Sequence, residues 1–164
     1  MSSNHWRITL VSLLVAGWST WADATVKVGE IFPPLTAFGL QGRVPATKGK
    51  VVVVDFWASW CAPCKESFPA LERLQKAYQA RGLEVVAINV DTKREAMDRF
   101  LESYPVSFSV VRDASKRMVE WTKPEAMPTS LVIDRAGRVV AVHAGFKGEE
   151  TEKALIEEIE KCLQ

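Results

Sequence analysis

Four consecutive valines, Val51 to Val54, follow the turn-forming Lys48-Gly49-Lys50 and run on through Asp55, Phe56 and Trp57. A continuous apolar run entered from a turn predicts a strand buried on both faces, central to a sheet. "LEVVAINVD", from Leu83, reads as a second buried strand. Between the two, Phe68, Leu71, Leu74 and Tyr78 recur at three and four. That spacing predicts one face of a helix from Ala62 to about Arg81, stopped by Arg81-Gly82 and kinked by Pro69. "KREAMDRFLESY" predicts a second helix ended by Pro105, and "FSVVRD" and "ASKRMVEW" a further strand and short helix. After Met127-Pro128, "TSLVIDRAGRVVAVHAG" alternates as a β-hairpin turning through Asp134 to Gly137. Glu149 to Leu163 closes the chain as a helix with Leu155, Ile159 and Cys162 on one face. Ahead of all this, "KVGEIFPPLTAFGLQGRVP" predicts a small hairpin around Gln41-Gly42. The whole predicts an α/β domain with a mixed sheet covered by helices on both faces.

The chain has 164 residues, 48% hydrophobic and 25% charged, enough for one core. Lys and Arg number 21 against 20 Asp and Glu, so charge recommends neither nucleic acid nor an anionic membrane as a partner. The first two dozen residues stand apart. Arg7 precedes the apolar run "ITLVSLLVAGW", and "STWADA" then brackets Asp23 between Ala22 and Ala24. We read residues 1–24 as a secretory signal cleaved after Ala24, with residues 25–164 as the domain. The alternative, a retained anchor, sits poorly with a run shorter than the roughly 20 apolar residues a spanning helix needs. From Thr25 onward the cysteines are Cys61, Cys64 and Cys162, too few for a disulfide-stapled miniature.

Cys61 and Cys64 flank Ala62-Pro63 at the point where the first buried strand gives way to a helix. Tetrahedral zinc wants four ligands, and one pair, one distant cysteine and His143 do not supply them at any recognised spacing. A thiolate-rich copper(I) site needs fewer ligands and stays open. A structural disulfide over so short a loop would constrain the unfolded chain little. Redox chemistry suits the position better. Cys61 at a helix N-terminus would have its thiolate stabilised by free amides and the macrodipole, which makes it the nucleophile. Cys64, one turn on, would face inward and resolve the mixed disulfide. Asp55, ending four valines, would be desolvated with a raised pKa and so able to exchange a proton with Cys64; its plainer role is a strand-end turn residue.

"VVVVDFWASWCAPCKESFP" resembles the active-site segment of the thioredoxin superfamily, and the exported domain with its N-terminal extension is similar to the TlpA-like (ResA-like) thiol:disulfide oxidoreductases of bacterial envelopes. The likeness rests on Asp55 six residues before the first cysteine, Trp57 and Trp60, Trp-Cys-x-Pro-Cys-Lys, Pro69, "MPTSLVI" and "AGF". It implies a thioredoxin fold with an N-terminal β-hairpin. It also implies that Pro128 is cis and abuts the cysteines, with the backbone beside Met127 and Thr129 aligning an extended substrate. Trp60, Ala62, Pro63 and Gly145 would complete the contact surface. Two positions depart from the pattern. Ser67 stands where many TlpA-like proteins carry glutamate, and Glu66, one residue along, points about 100° away. Ala87 replaces a lysine that commonly neighbours the aspartate. Proton handling should therefore rest on Asp55.

The expected protein is a periplasmic disulfide reductase using no cofactor beyond its own dithiol. The Ala-Pro dipeptide lacks the histidine of strongly oxidising relatives, which favours a reductant. The resemblance implies a membrane electron donor of the DsbD or CcdA type, exported disulfide proteins such as apocytochrome c or copper-site proteins as substrates, and a monomer. Two other classes compete: a copper or haem-delivery chaperone using the same thiols, and a thiol peroxidase. The peroxidase would want threonine or serine where Ala58 stands. Cys162 is expected to be a buried inert thiol, and His143 a structural residue.

Overall fold

The computed structural model describes residues 26–164; the signal sequence expected over residues 1–24 lies outside them. Five strands form one mixed sheet in the order β3-β2-β1-β4-β5. β1 (Val51–Trp57) is central, and every residue of it is buried. It runs parallel to β2 (Leu83–Asn89) on one side and antiparallel to β4 (Thr129–Ile133) on the other. β3 (Ser109–Arg112) extends the parallel half, and β5 (Val139–Ala144) the antiparallel half. A parallel neighbour requires a crossover, and a hairpin can only add an antiparallel one. The helical segments between β1, β2 and β3 and the tight turn between β4 and β5 thus dictate the mixed topology.

Strand alternation divides the core. Val51, Val53 and Trp57 point to one face, where they pack with Phe68 and Leu71 of α1 (Ala62–Tyr78), Met97 and Phe100 of α2 (Arg94–Ser103), and Leu155 and Ile159 of α4 (Glu149–Leu163). Val52, Val54 and Phe56 point to the other, against Met118 of α3 (Arg117–Thr122) and Val26, Phe32, Leu35 and Phe38. Helix α1 runs unbroken through Pro69.

The N-terminal hairpin expected around Gln41-Gly42 does not form. Ile31 instead bridges Arg138 beside β5, and Gln41 bridges Arg112 on β3. Residues 31–41 thus cross the sheet from one edge to the other, with a 3-10 turn at Leu35–Phe38 on the way. The physical reason lies in the apolar residues. Phe32 and Phe38 both pack on Trp121, at ring separations of 5.4 and 5.7 Å, which a two-stranded hairpin standing alone could not offer.

Candidate active site

β1 ends at Trp57, and the chain turns through Ala58, Ser59 and Trp60 into α1. Cys61 is the N-cap of that helix, and Cys61 and Cys64 are joined in a disulfide with their Cα atoms 5.3 Å apart. The Cys64 amide donates to Cys61 Sγ at 3.2 Å, so the sulfur takes one of the free N–H groups that every helix start leaves over. Pro63 lies within the first turn, where its missing N–H costs nothing. Exposure is uneven. Cys64 is fully buried and Cys61 only 4% exposed, whereas Trp60 is 71% exposed and Ala62 and Pro63 are open to solvent.

The antiparallel register pairs Phe56 with Thr129, so β4 begins at the end of the sheet from which the Cys61 loop departs. Pro128, just before it, is cis and buried. Thr129 also pairs with Ala144 at the end of β5, and the Gly145 amide donates to the Pro128 carbonyl at 2.7 Å. Gly145 has φ of 81°, a backbone that favours glycine. Met127 is half-buried and packs on both layers of the core. Thr129 is 3% exposed with its hydroxyl donating to the Ala126 carbonyl at 2.7 Å, and its backbone is in register with a strand on each side. That hydroxyl closes the turn from Ala126 through Pro128 into β4.

Asp55 is fully buried on the face of β1 that α1 covers. Its neighbours across the strands are Ala87 on β2 and Ser130 on β4. The Ser130 hydroxyl donates to Asp55 Oδ1 at 2.6 Å, and Oδ2 has no partner among the described residues. Burial raises its pKa from 3.8 to about 7, and the Ser130 hydrogen bond opposes part of that rise. Ser67 is buried with its hydroxyl on the Cys64 carbonyl at 3.2 Å, so it holds the helix and offers no second titrating group.

A polar knot unforeseen from the sequence fixes the loop ahead of Cys61. Asp91, just past β2, accepts from the Ser59 amide at 3.0 Å, the Ser59 hydroxyl at 3.1 Å and Asn89 Nδ2 at 2.8 Å. The only sequence signal was a pair of polar residues, Asn89 and Asp91, closing an otherwise apolar strand. Away from the site, His143 Nε2 lies 2.7 Å from Glu158 Oε2, tying β5 to α4. Cys162 is half-buried against the core, and burial, with Asp134 and Glu158 nearby, pushes its thiol up. Among the described residues, no three His, Cys, Asp or Glu side chains converge as a metal-binding group. None of their helices is long and apolar enough to cross a membrane.

The Redoxin family pattern matches residues 39–159. The chain is 38% identical to the thiol-disulfide oxidoreductase ResA of Bacillus subtilis over 102 residues, 62% of this chain and 57% of that one. It is 30% identical to ResA of Bacillus thuringiensis subsp. konkukian over 142 residues, covering 85% and 80% of the two chains. Its fold is similar to that of a Chlorobium tepidum protein assigned as the thiol:disulfide interchange protein DsbE, with a TM-score of 0.69, 40% identity and coverage of 72% of this chain and 83% of that one.

Proposed function

The chain belongs to the Redoxin family and is an oxidoreductase similar to the ResA thiol-disulfide oxidoreductases, and on that premise we propose that it reduces disulfides of exported proteins in the periplasm through the Cys61/Cys64 dithiol. One observation carries the reading: a disulfide whose outer sulfur caps a helix lies on the sheet face that also holds a buried carboxyl with a pKa near neutrality.

The cycle starts from the dithiol. The Cys61 thiolate attacks one sulfur of a substrate disulfide; that S–S bond breaks, a Cys61–substrate disulfide forms, and the departing substrate thiolate takes a proton. The Asp55 carboxylate accepts the Cys64 proton, and the Cys64 thiolate attacks Cys61 Sγ. The mixed disulfide breaks, the second substrate thiol leaves, and the Cys61–Cys64 disulfide closes. Two electrons have moved from the dithiol to the substrate. Exposed Trp60, Ala62 and Pro63 form the contact surface, and the backbone at Met127, beside Pro128 and Gly145, aligns an extended segment by β-type hydrogen bonds. Oxidised protein is recharged by a membrane dithiol donor of the DsbD or CcdA type, and exported proteins of cytochrome c or copper-site maturation fit the substrate class. We place the protein in the periplasm as a monomer, exported by residues 1–24, with no cofactor beyond its own cysteines.

Cys64→Ser removes the resolving thiol and should accumulate mixed disulfides when mixed with envelope extract, visible as reducible adducts that Cys61→Ser lacks. If Cys64→Ser turned over normally, the resolving role would be wrong. If the reduced protein instead bound copper(I) stoichiometrically and reduced no disulfide, the cysteines would be a ligand pair and the reading would fall.

A further inference from the structure

We propose that Ser130 is the positioning residue for proton exchange at Asp55: its hydroxyl occupies Oδ1 and leaves Oδ2 as the oxygen that takes and returns the proton. The inference rests on the reading of Asp55 as the base for Cys64. Asp55 and Ser130 are 75 residues apart in sequence but are directly paired across β1 and β4, with their oxygens 2.6 Å apart. Both are buried, at 0% and 3% exposure, so solvent does not substitute for the contact. A neutral carboxyl carries its proton on one oxygen only. With Oδ1 accepting from the hydroxyl, that proton sits on Oδ2, which has no other partner among the described residues. When the proton leaves, the same hydroxyl is the donor that supports the carboxylate.

Among the described residues no other side chain is hydrogen-bonded to the Asp55 carboxyl. On β2 the neighbour is Ala87, and along β1 the residues on the same face are Val53 and Trp57. Beyond Ser130 the next strand position is His143, whose Nε2 is engaged with Glu158 of α4 at 2.7 Å. From α1 and its N-cap the ionisable residues on this face are Cys61 and Cys64, joined in a disulfide in this structure, and Tyr78 at the far end of the helix, whose hydroxyl is engaged with Glu160. Taking away the hydroxyl therefore has a fixed sign. The carboxylate loses its donor, Asp55 holds its proton to higher pH, and less of it is available as base at neutrality.

The test compares Ser130→Ala, Ser130→Thr and the double variant Asp55→Asn/Ser130→Ala with the parent protein. Two quantities are read: the Asp55 titration, followed by its carboxyl infrared band, and the pH profile of the resolving step. Loss of a hydrogen bond to a charged group should move the Asp55 titration up by about one pH unit in Ser130→Ala. The rate profile should move with it. Ser130→Thr, which keeps the hydroxyl, should restore both. In the Asp55→Asn background, Ser130→Ala should leave the profile where Asp55→Asn put it, because the hydroxyl acts only through the carboxyl. An Asp55 titration unmoved by Ser130→Ala overturns the proposal, as does a profile shift of equal size without Asp55. A titration that moves under a rate profile that does not would overturn the base reading of Asp55 instead.

Discussion

A carboxyl inside a run of valines is a liability unless its charge can be given up, and Asp55 is built to give it up. Its pKa of about 7 arises from desolvation, not from a neighbouring charge, since Ala87 stands across from it. The sign of the stability effect follows. Below the unfolded value of 3.8 both states are protonated; between there and about 7 only the folded state keeps the proton, so stability is lost as pH rises through that window. Oxidised wild-type protein should therefore unfold progressively more easily from pH 4 to pH 7. The loss is at most on the order of 4 kcal/mol, from a shift of 3.8 to about 7. Asp55→Asn cannot ionise and should show none of this slope, while its resolving step slows most at neutral pH. Urea unfolding across that range measures the first, and rapid-mixing kinetics the second; equal slopes in the two proteins would show that Asp55 does not titrate in the fold. Asp55 was legible in the sequence because four valines announce burial on their own. Ser130 was not, because its meaning depends on a strand register that brings positions 55 and 130 side by side.

The helix α1 and the loop before it illustrate the same divide. The three-and-four spacing of apolar residues marked the helix, and the strand-to-helix junction marked Cys61 as its start. What holds the junction is Asp91, 32 residues beyond Ser59 in sequence. Asp91→Ala would strip the Ser59 amide, the Ser59 hydroxyl and Asn89 of their acceptor in a buried site. A cost of about 1–3 kcal/mol is expected for leaving such donors unpaired. Mixed-disulfide formation by Cys61 should slow as well, since Trp60 and Cys61 hang from the freed loop. Thermal unfolding and single-turnover reduction check the two effects, and full activity in a folded variant would show that the knot is not needed to present the cysteine. Farther along α1, the buried Gln75 accepts from the Val85 amide at 2.8 Å. β3 pairs with β2 only from Val86 onward, so the side chain fills the gap where the ladder has no strand. Gln75→Leu keeps the bulk and orphans that amide, with an expected loss of about 1–3 kcal/mol and little change in redox activity. Gln75 stands among the apolar positions of the helix, four residues after Leu71 and three before Tyr78, but the helix alone carries no cue to its partner, because the gap belongs to another element.

The two faces of the sheet are covered by different means, and this decides what the protein can lose. On the face toward Cys64, three helices cover the core, each recognisable from its own periodicity. On the other face the cover is α3 and the segment from Val26 to Gln41, whose short apolar stretches and prolines suggested a hairpin. Its true partners, Arg138 and Arg112, lie more than 70 residues away, so local pattern had nothing to register. The segment nevertheless buries Val26, Phe32, Leu35 and Phe38 against Val54, Phe56, Ile88 and Leu131. At about 1.5–3 kcal/mol for each fully buried side chain, its removal would consume most of the roughly 5–15 kcal/mol that holds an ordinary domain folded. A chain beginning at Val26 should unfold cooperatively like the parent. One beginning at Gly39 should bind hydrophobic dyes and unfold without a sharp transition, although every residue of the cysteine site is still present. Phe38→Ala offers the graded version, with an expected loss of about 3–5 kcal/mol. Trp60→Ala, at an exposed position, should leave stability nearly unchanged and weaken substrate reduction instead. If the Gly39 chain unfolded as cooperatively as the parent, the segment would be ornament on a sheet already stable without it; if it fails as expected, the disulfide chemistry on one face depends on a strap across the other.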